Sequence, residues 1–158
     1  MVSVIVLYRL RLLASSKKGF RVLEHTADEY IMAYGSDLGE AFESAALAMF
    51  EVMTNIKTVK PRNEGHVEVE AGDEAALLYA WLESLLVRFS VEGKLYSKFR
   101  VDNIERRNET LYLKATIWGE EFAPKRHTSR TDVKAVTYDR MEILREKDRV
   151  VVKFVLDV

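Results

Sequence analysis

No cysteine occurs in the 158 residues, and that absence removes disulfides, thiolate zinc sites and cysteine nucleophiles together. Any metal must be held by oxygen or imidazole. Net charge is nearly absent as well: Lys+Arg total 24 against Asp+Glu 25. No global field therefore draws the chain to nucleic acid or anionic membrane, and RNA contact has to be local or made through a partner. No apolar run approaches the roughly 20 residues needed to span a bilayer. A P-loop, a dinucleotide-binding glycine fingerprint and a serine elbow are all missing. The apolar start, Met1 to Tyr8, precedes the charges of Arg9, Arg11, Lys17 and Lys18, the reverse of the secretory order. A cytoplasmic protein with no membrane association is expected.

What remains is a chain 48% hydrophobic, enough for the core of one ordinary domain or of two small modules sharing one core. Residues 1–19 stand apart as an N-terminal extension, either an extra edge strand, a flexible tail or an upstream start; 20–158 forms the domain. Two short strands are expected at 20–25 and 29–35, split by Thr26-Ala27-Asp28. Leu38, Ala41, Phe42, Ala45, Ala48, Met49, Val52 and Met53 recur at three- and four-residue spacing and predict a helix over 37–54. Pro61 and Gly65 bracket a turn, after which His66 to Glu70 alternates as a half-buried strand. Asp73 caps a second helix whose apolar stripe runs Leu78, Trp81, Leu82, Leu85, Leu86 and Phe89, with Gly93 ending it.

The last third is β. Tyr96–Ile104 and Leu111–Trp118 predict a hairpin, a polar loop covers Gly119–Arg130, and strands follow at 133–138, 141–144 and 150–158. The fold class is α+β, two helices packed on a mostly antiparallel sheet. Strand-helix-strand order appears twice and hints at an internal duplication.

Three places carry candidate chemistry. The stretch LEHTADE brings His25 within three residues of Asp28. Such a pair reads as a general base with its carboxylate, as two metal ligands, or as a strand end whose Thr26 and Asp28 satisfy turn amides. Val150 to Leu156 is apolar on both faces and predicts a central strand. It carries Asp157 and the final Val158 to one strand end, where adjacent negative groups need solvent, a lysine or a cation. Lys134 lies among apolar and β-branched neighbours, either at a strand mouth beside a carboxylate or snorkelling from an edge. The 120–130 loop, with Lys125, Arg126, His127 and Arg130, reads as a solvated loop in preference to a phosphate contact.

His25-Thr26-Ala27-Asp28, Glu40 to Phe50, Leu78 to Leu86, Trp118-Gly119-Glu120, Val133-Lys134-Ala135-Val136-Thr137-Tyr138 and Leu156-Asp157 together resemble the archease family, in order from about Phe20 to Val158. The resemblance implies strand-helix-strand-strand modules, one inserted in the other. It also implies a protein that is not an enzyme but an activator of a GTP-dependent RNA ligase of the RtcB type, promoting ligase guanylylation and repeated turnover in tRNA splicing and RNA repair. RNA would be met only through the ligase. The family's calcium site maps onto Asp28, Asp157 and Val158, another divalent ion being the alternative. Lys134 belongs to the functional set, and His25 becomes a supporting residue behind the ligands.

The sequence departs from the family pattern at Glu29-Tyr30, where a small or apolar pair is usual, and at Asp139, where histidine is frequent. Two other classes stay open. One is a divalent-metal phosphoester hydrolase using Asp28 and Asp157 as ligands and His25 as base; the other is a general chaperone or adaptor of RNA-modifying enzymes.

Overall fold

Two aspartates set the helix starts. Asp37 accepts the N–H of Glu40 at 2.8 Å and Asp73 that of Ala76 at 2.8 Å, satisfying donors that a helix leaves orphaned at its first turn. Helix α1 then runs Leu38–Met53 and α2 Glu74–Glu92, the latter closed by Gly93 at φ 67°, where a side chain would be strained. The computed structural model describes residues 17–25 and 28–158, so most of the expected N-terminal extension lies outside the described residues. Seven strands complete the described fold: β1 Gly19–His25, β2 Asp28–Gly35, β3 Asn63–Ala71, β4 Lys94–Arg107, β5 Thr110–Glu121, β6 Ala135–Arg145 and β7 Val150–Asp157.

The strands form two antiparallel sheets, ordered β1-β2-β7-β6 and β3-β5-β4. The sheet expected from sequence is thus divided in two, and the division follows the duplication. β2-α1-β6-β7 assembles in the order β2-β7-β6, and β3-α2-β4-β5 in the order β3-β5-β4. One topology is used twice, and the second module is inserted whole between α1 and β6 of the first.

Each helix packs on its own module's sheet and also on an edge strand of the other, α1 on β4 and α2 on β6. Helix α1 is buried almost all round, through Ala41, Phe42, Ala45, Ala46, Ala48, Met49, Phe50 and Met53, whereas α2 buries a stripe. Trp81 ties the helices together, donating its indole N–H to the Phe42 carbonyl at 2.9 Å. Phe50 stacks on Phe99 of β4 with ring centroids 5.7 Å apart.

Strand β7 is central, as its apolar run requires. Val150, Val152, Phe154 and Leu156 enter the main core while Val151 joins Met32 and Tyr34 on the other face, the period-two alternation of a strand. Strands β4 and β5 extend beyond the predicted apolar stretches, because charged residues pair along their solvent edge. The hairpin turns at Asn108, φ 58°, a conformation that asparagine tolerates. Strand β6 is one strand with a bulge rather than two, its register jumping between Thr137 and Glu142.

Candidate metal centre at the end of the four-stranded sheet

β2 begins at Asp28 and β7 ends at Asp157, and the antiparallel register sets these two residues directly opposite each other. Opposed residues of an antiparallel pair project to the same face, with Cβ atoms about 4.5–5.5 Å apart. For this pair it is the face away from the main core, since Phe154 and Leu156 take the core side. Both aspartates are half-buried, and among the described residues neither carboxylate makes a hydrogen bond or an ion pair. Like charges so placed destabilise a sheet.

Strand β6 completes the corner. Ala135 is the other register partner of Asp157, and the Lys134 N–H donates to the Asp157 carbonyl at 2.8 Å. Continuing that register sets Lys134 opposite Val158, which is half-buried against the core, while Lys134 is exposed. Four of the sequence-predicted residues therefore meet at one strand end. His25 is the last residue of β1, its backbone paired with Glu29; the role expected of its side chain lies outside what is described.

The donors gathered here are oxygens: two side-chain carboxylates and the main-chain oxygens of Val158. That set suits a hard divalent cation such as Ca2+, which takes 6–8 oxygen ligands, and not a soft metal. Among the described residues no three His, Asp or Glu side chains converge, so a cation here would keep positions for water or a partner's oxygen. By contrast, an acidic cavity of about 610 Å3 at the start of α1 is lined by Asp37, Glu40, Glu43, Glu74 and Asp102. All five are already engaged, by the Glu40 N–H, the Ser36 N–H, the Val101 N–H, Arg145 and Thr116 respectively.

A model of the archease protein family matches residues 20–158. The protein archease of Sulfurisphaera tokodaii is 48% identical over 139 residues, covering 88% of this chain and 98% of its own length. That of Methanothermobacter thermautotrophicus is 45% identical over 141 residues, covering 89% and 99%. The chain belongs to the archease family. Its fold resembles the solution structure of Methanobacterium thermoautotrophicum protein 1598, with a TM-score of 0.77, 42% identity and coverage of 89% and 99%. A Thermotoga maritima crystal structure described as an archease, possible chaperone, shares the fold at a TM-score of 0.55 with 19% identity, covering 86% and 94%.

The duplication within this archease-family chain supplies an internal comparison. Asn63 of β3 pairs with Gly119 of β5, so one step further Arg62 faces Glu120 as Asp28 faces Asp157. Leu95 is the other partner of Glu120 and Lys94 precedes it, as Ala135 partners Asp157 and Lys134 precedes it. In the inserted module the fold neutralises its own carboxylate. Arg62 Nε lies 3.7 Å and Arg126 Nη1 3.0 Å from Glu120 Oε1, and the Lys60 N–H donates to Oε2 at 2.9 Å. In the outer module two acids occupy the positions that an acid and an arginine occupy in the inner one.

The inner corner also corrects the reading of 120–130 as a solvated loop. Glu120 is 4% and His127 2% exposed. His127 Nδ1 accepts the Ala123 N–H at 2.9 Å, so its proton is on Nε2, which donates to Glu120 Oε2 at 2.9 Å. Burial alone would push the Glu120 carboxyl up; the Lys60 N–H, His127 and Arg126 outweigh it and hold the group below the ordinary carboxylate value. The loop is pinned further along, where the Arg130 and Thr131 N–H groups donate to Met53 and Val52 at the end of α1. Those carbonyls would otherwise lack partners.

Proposed function

We propose that the corner formed by Asp28, Asp157 and Val158 holds a divalent cation, Ca2+ in the first instance, and that the protein presents it together with Lys134 to a GTP-dependent RNA ligase of the RtcB type. Acting on the ligase, it promotes guanylylation and repeated turnover in tRNA splicing and RNA repair, and is not itself the catalyst. RNA is met through the ligase, in the cytoplasm. One observation carries the reading: two carboxylates without a partner among the described residues stand in register where the repeated module has Arg62 facing Glu120. Family membership supports it, because the matching residues are those the archease resemblance assigns.

The residues divide the work. Asp28 and Asp157 supply negative oxygens that a cation would draw together, relieving their mutual repulsion. The cation would supply a Lewis-acidic centre with positions open to a partner's oxygen. Lys134 offers a mobile positive head that can meet a phosphate or carboxylate of the ligase complex. Its backbone is fixed by the bond to Asp157, so the charge is delivered from a rigid strand mouth.

The test mixes purified ligase, GTP and divalent ion with and without the protein and follows ligase-GMP formation and turnover. Stimulation is expected, and Asp28→Ala, Asp157→Ala and Lys134→Ala should each abolish it while the circular dichroism of the fold is kept. Unchanged ligase kinetics would refute the reading. Phosphate release from an ester by the protein alone would instead favour a hydrolase.

A further inference from the structure

We propose that Arg130 is a positioning residue for Lys134: it clamps the chain before β6 onto the C-terminal end of α1 and so fixes where the lysine stands. The inference rests on the ligase reading of the cation corner and adds the residue that holds its positive arm.

The need for a clamp follows from the nesting of the modules. In the inner module α2 passes into β4 through Gly93 alone, so Lys94 leaves directly from the helix end. In the outer module the whole inner module stands between α1 and β6, and Lys134 has no such tether along the chain. The chain returns to α1 instead. The Arg130 N–H donates to the Met53 carbonyl at 3.0 Å and the Thr131 N–H to that of Val52 at 3.2 Å. Arg130 Nη1 donates to the Glu51 carbonyl at 3.1 Å and also meets the Glu51 carboxylate. Two residues thus take three successive carbonyls of the last turn, which a helix leaves without partners. Helix α1 ends on Thr54 in extended conformation, without the left-handed glycine that closes α2, and has no basic residue in its last turn. Arg130 supplies the positive charge that the negative end of the helix dipole favours.

From this anchor the path to Lys134 is short. Asp132 is exposed, Val133 is buried in the main core, and the Lys134 N–H reaches the Asp157 carbonyl at 2.8 Å. Upstream, residues 122–129 form no helix or strand. They are held to the inner module, the Phe122 N–H by the Gly93 carbonyl at 2.7 Å and His127 by Glu120. Between His127 and Val133, among the described residues, the hydrogen bonds to the rest of the protein are those of Arg130 and Thr131. Thr128, Ser129 and Asp132 are exposed around them. Without the guanidinium, two backbone bonds in an exposed segment hold the chain to α1, and such segments open locally at low cost. The strand mouth that carries Lys134 loosens with them.

Two measurements test the clamp, one on the full-length protein alone and one with the ligase. In amide hydrogen exchange followed by NMR, the Thr131 and Lys134 amides of Arg130→Ala should exchange about tenfold faster than in wild type, while those in the middle of β7 keep their rates. With purified ligase, GTP and Ca2+, Arg130→Ala should need about tenfold more protein for half-maximal ligase-GMP formation, and saturating protein should restore the wild-type maximum. Arg130→Lys keeps a charge for the Glu51 carboxylate but loses the fork, and should fall between the two. Arg145→Ala removes an ion pair of the same kind, with Glu74 at the other end of β6, and should stimulate as wild type. If the Lys134 amide keeps its protection in Arg130→Ala, or loses it while the half-maximal concentration is unchanged, Arg130 does not position Lys134 and the ligase reading stands. The same defect in Arg145→Ala would mark a general loss of stability and likewise sink the clamp. Wild-type protein that leaves the ligase unchanged overturns both.

Discussion

Replacing Asp157 with asparagine should change the sign of its effect on stability when calcium is added. Without divalent ion, Asp28 and Asp157 oppose each other in register with no compensating partner among the described residues, an arrangement costing about 0.2–1 kcal/mol in a sheet. Asp157→Asn removes that repulsion and keeps the volume, so in EDTA the variant should melt about 1–4 °C above wild type. With Ca2+ at a hundredfold its dissociation constant, wild type gains about 2.7 kcal/mol. If losing one anionic ligand weakens binding a hundredfold, the variant gains only about 0.4 kcal/mol at the same concentration. The order then inverts, wild type melting about 3–8 °C higher. Asp148→Asn, in the exposed turn before β7, controls for general charge effects and should show no inversion. The measurement is a thermal melt by circular dichroism in EDTA and in Ca2+. A variant less stable than wild type by the same margin in both conditions would refute the reasoning, because it would mean Asp157 contributes to the fold and not to an ion site.

His127→Ala removes the Nε2–H that meets buried Glu120 and should cost about 1.5–3 kcal/mol in urea denaturation, with Arg126 and the Lys60 N–H still holding the carboxylate. Gly119→Ala would set a Cβ 1.9 Å from the Leu95 carbonyl oxygen and 2.7 Å from the Tyr96 Cα; the close approach is between backbones, so soluble yield and melting temperature should both fall sharply. Acid should destabilise the protein. Glu74 is held below its ordinary value mainly by the bond to Arg145, Asp102 by Thr116 and Arg100, Glu40 by the Ser36 N–H, and Glu120 as described. Depressed folded values mean stability that is present above the ordinary carboxylate range and lost as pH falls through the folded ones. Melting temperature should therefore be flat between pH 6 and 8 and decline below about pH 4.5; a decline beginning near pH 6.5 would contradict this assignment.

The helices were legible because period and caps agreed: Asp37, Asp73 and Gly93 stop and start the chain where the apolar spacing does. The centrality of β7 followed from a strand apolar on both faces; the repeated order of elements hinted at a duplication, and the resemblance to the archease family implied that one module is inserted in the other. The division into two sheets was not legible, since hydrophobic alternation reports that a strand has a buried face and not which sheet provides it. Glu120 and His127 escaped notice because Glu120-Glu121 and Lys125-Arg126-His127 have the composition of a solvated turn. Their pairing depends on Arg62, 58 residues before Glu120 in the numbering, reaching the same corner. A local signal did exist, a histidine and a glutamate flanking Pro124, but nothing in it distinguishes a buried pair from an exposed one. The Asp28–Asp157 juxtaposition likewise joins the two ends of the domain, and only a resemblance to known sequences pointed to it. The bulge in β6, where Arg140 takes φ 53°, carries no glycine or proline, the residues that usually announce a left-handed turn.

Paramagnetic mapping with Mn2+ puts the central claim to its most direct trial, because a bound ion broadens nearby amide resonances whatever its effect on activity. In a substoichiometric titration of the labelled protein, the amides of Asp28 to Tyr30, Lys134 to Val136 and Leu156 to Val158 should broaden first, and Asp157→Asn should abolish that pattern. Broadening centred instead on Asp37, Glu40 and Asp102, at the acidic cavity by the start of α1, would contradict the account.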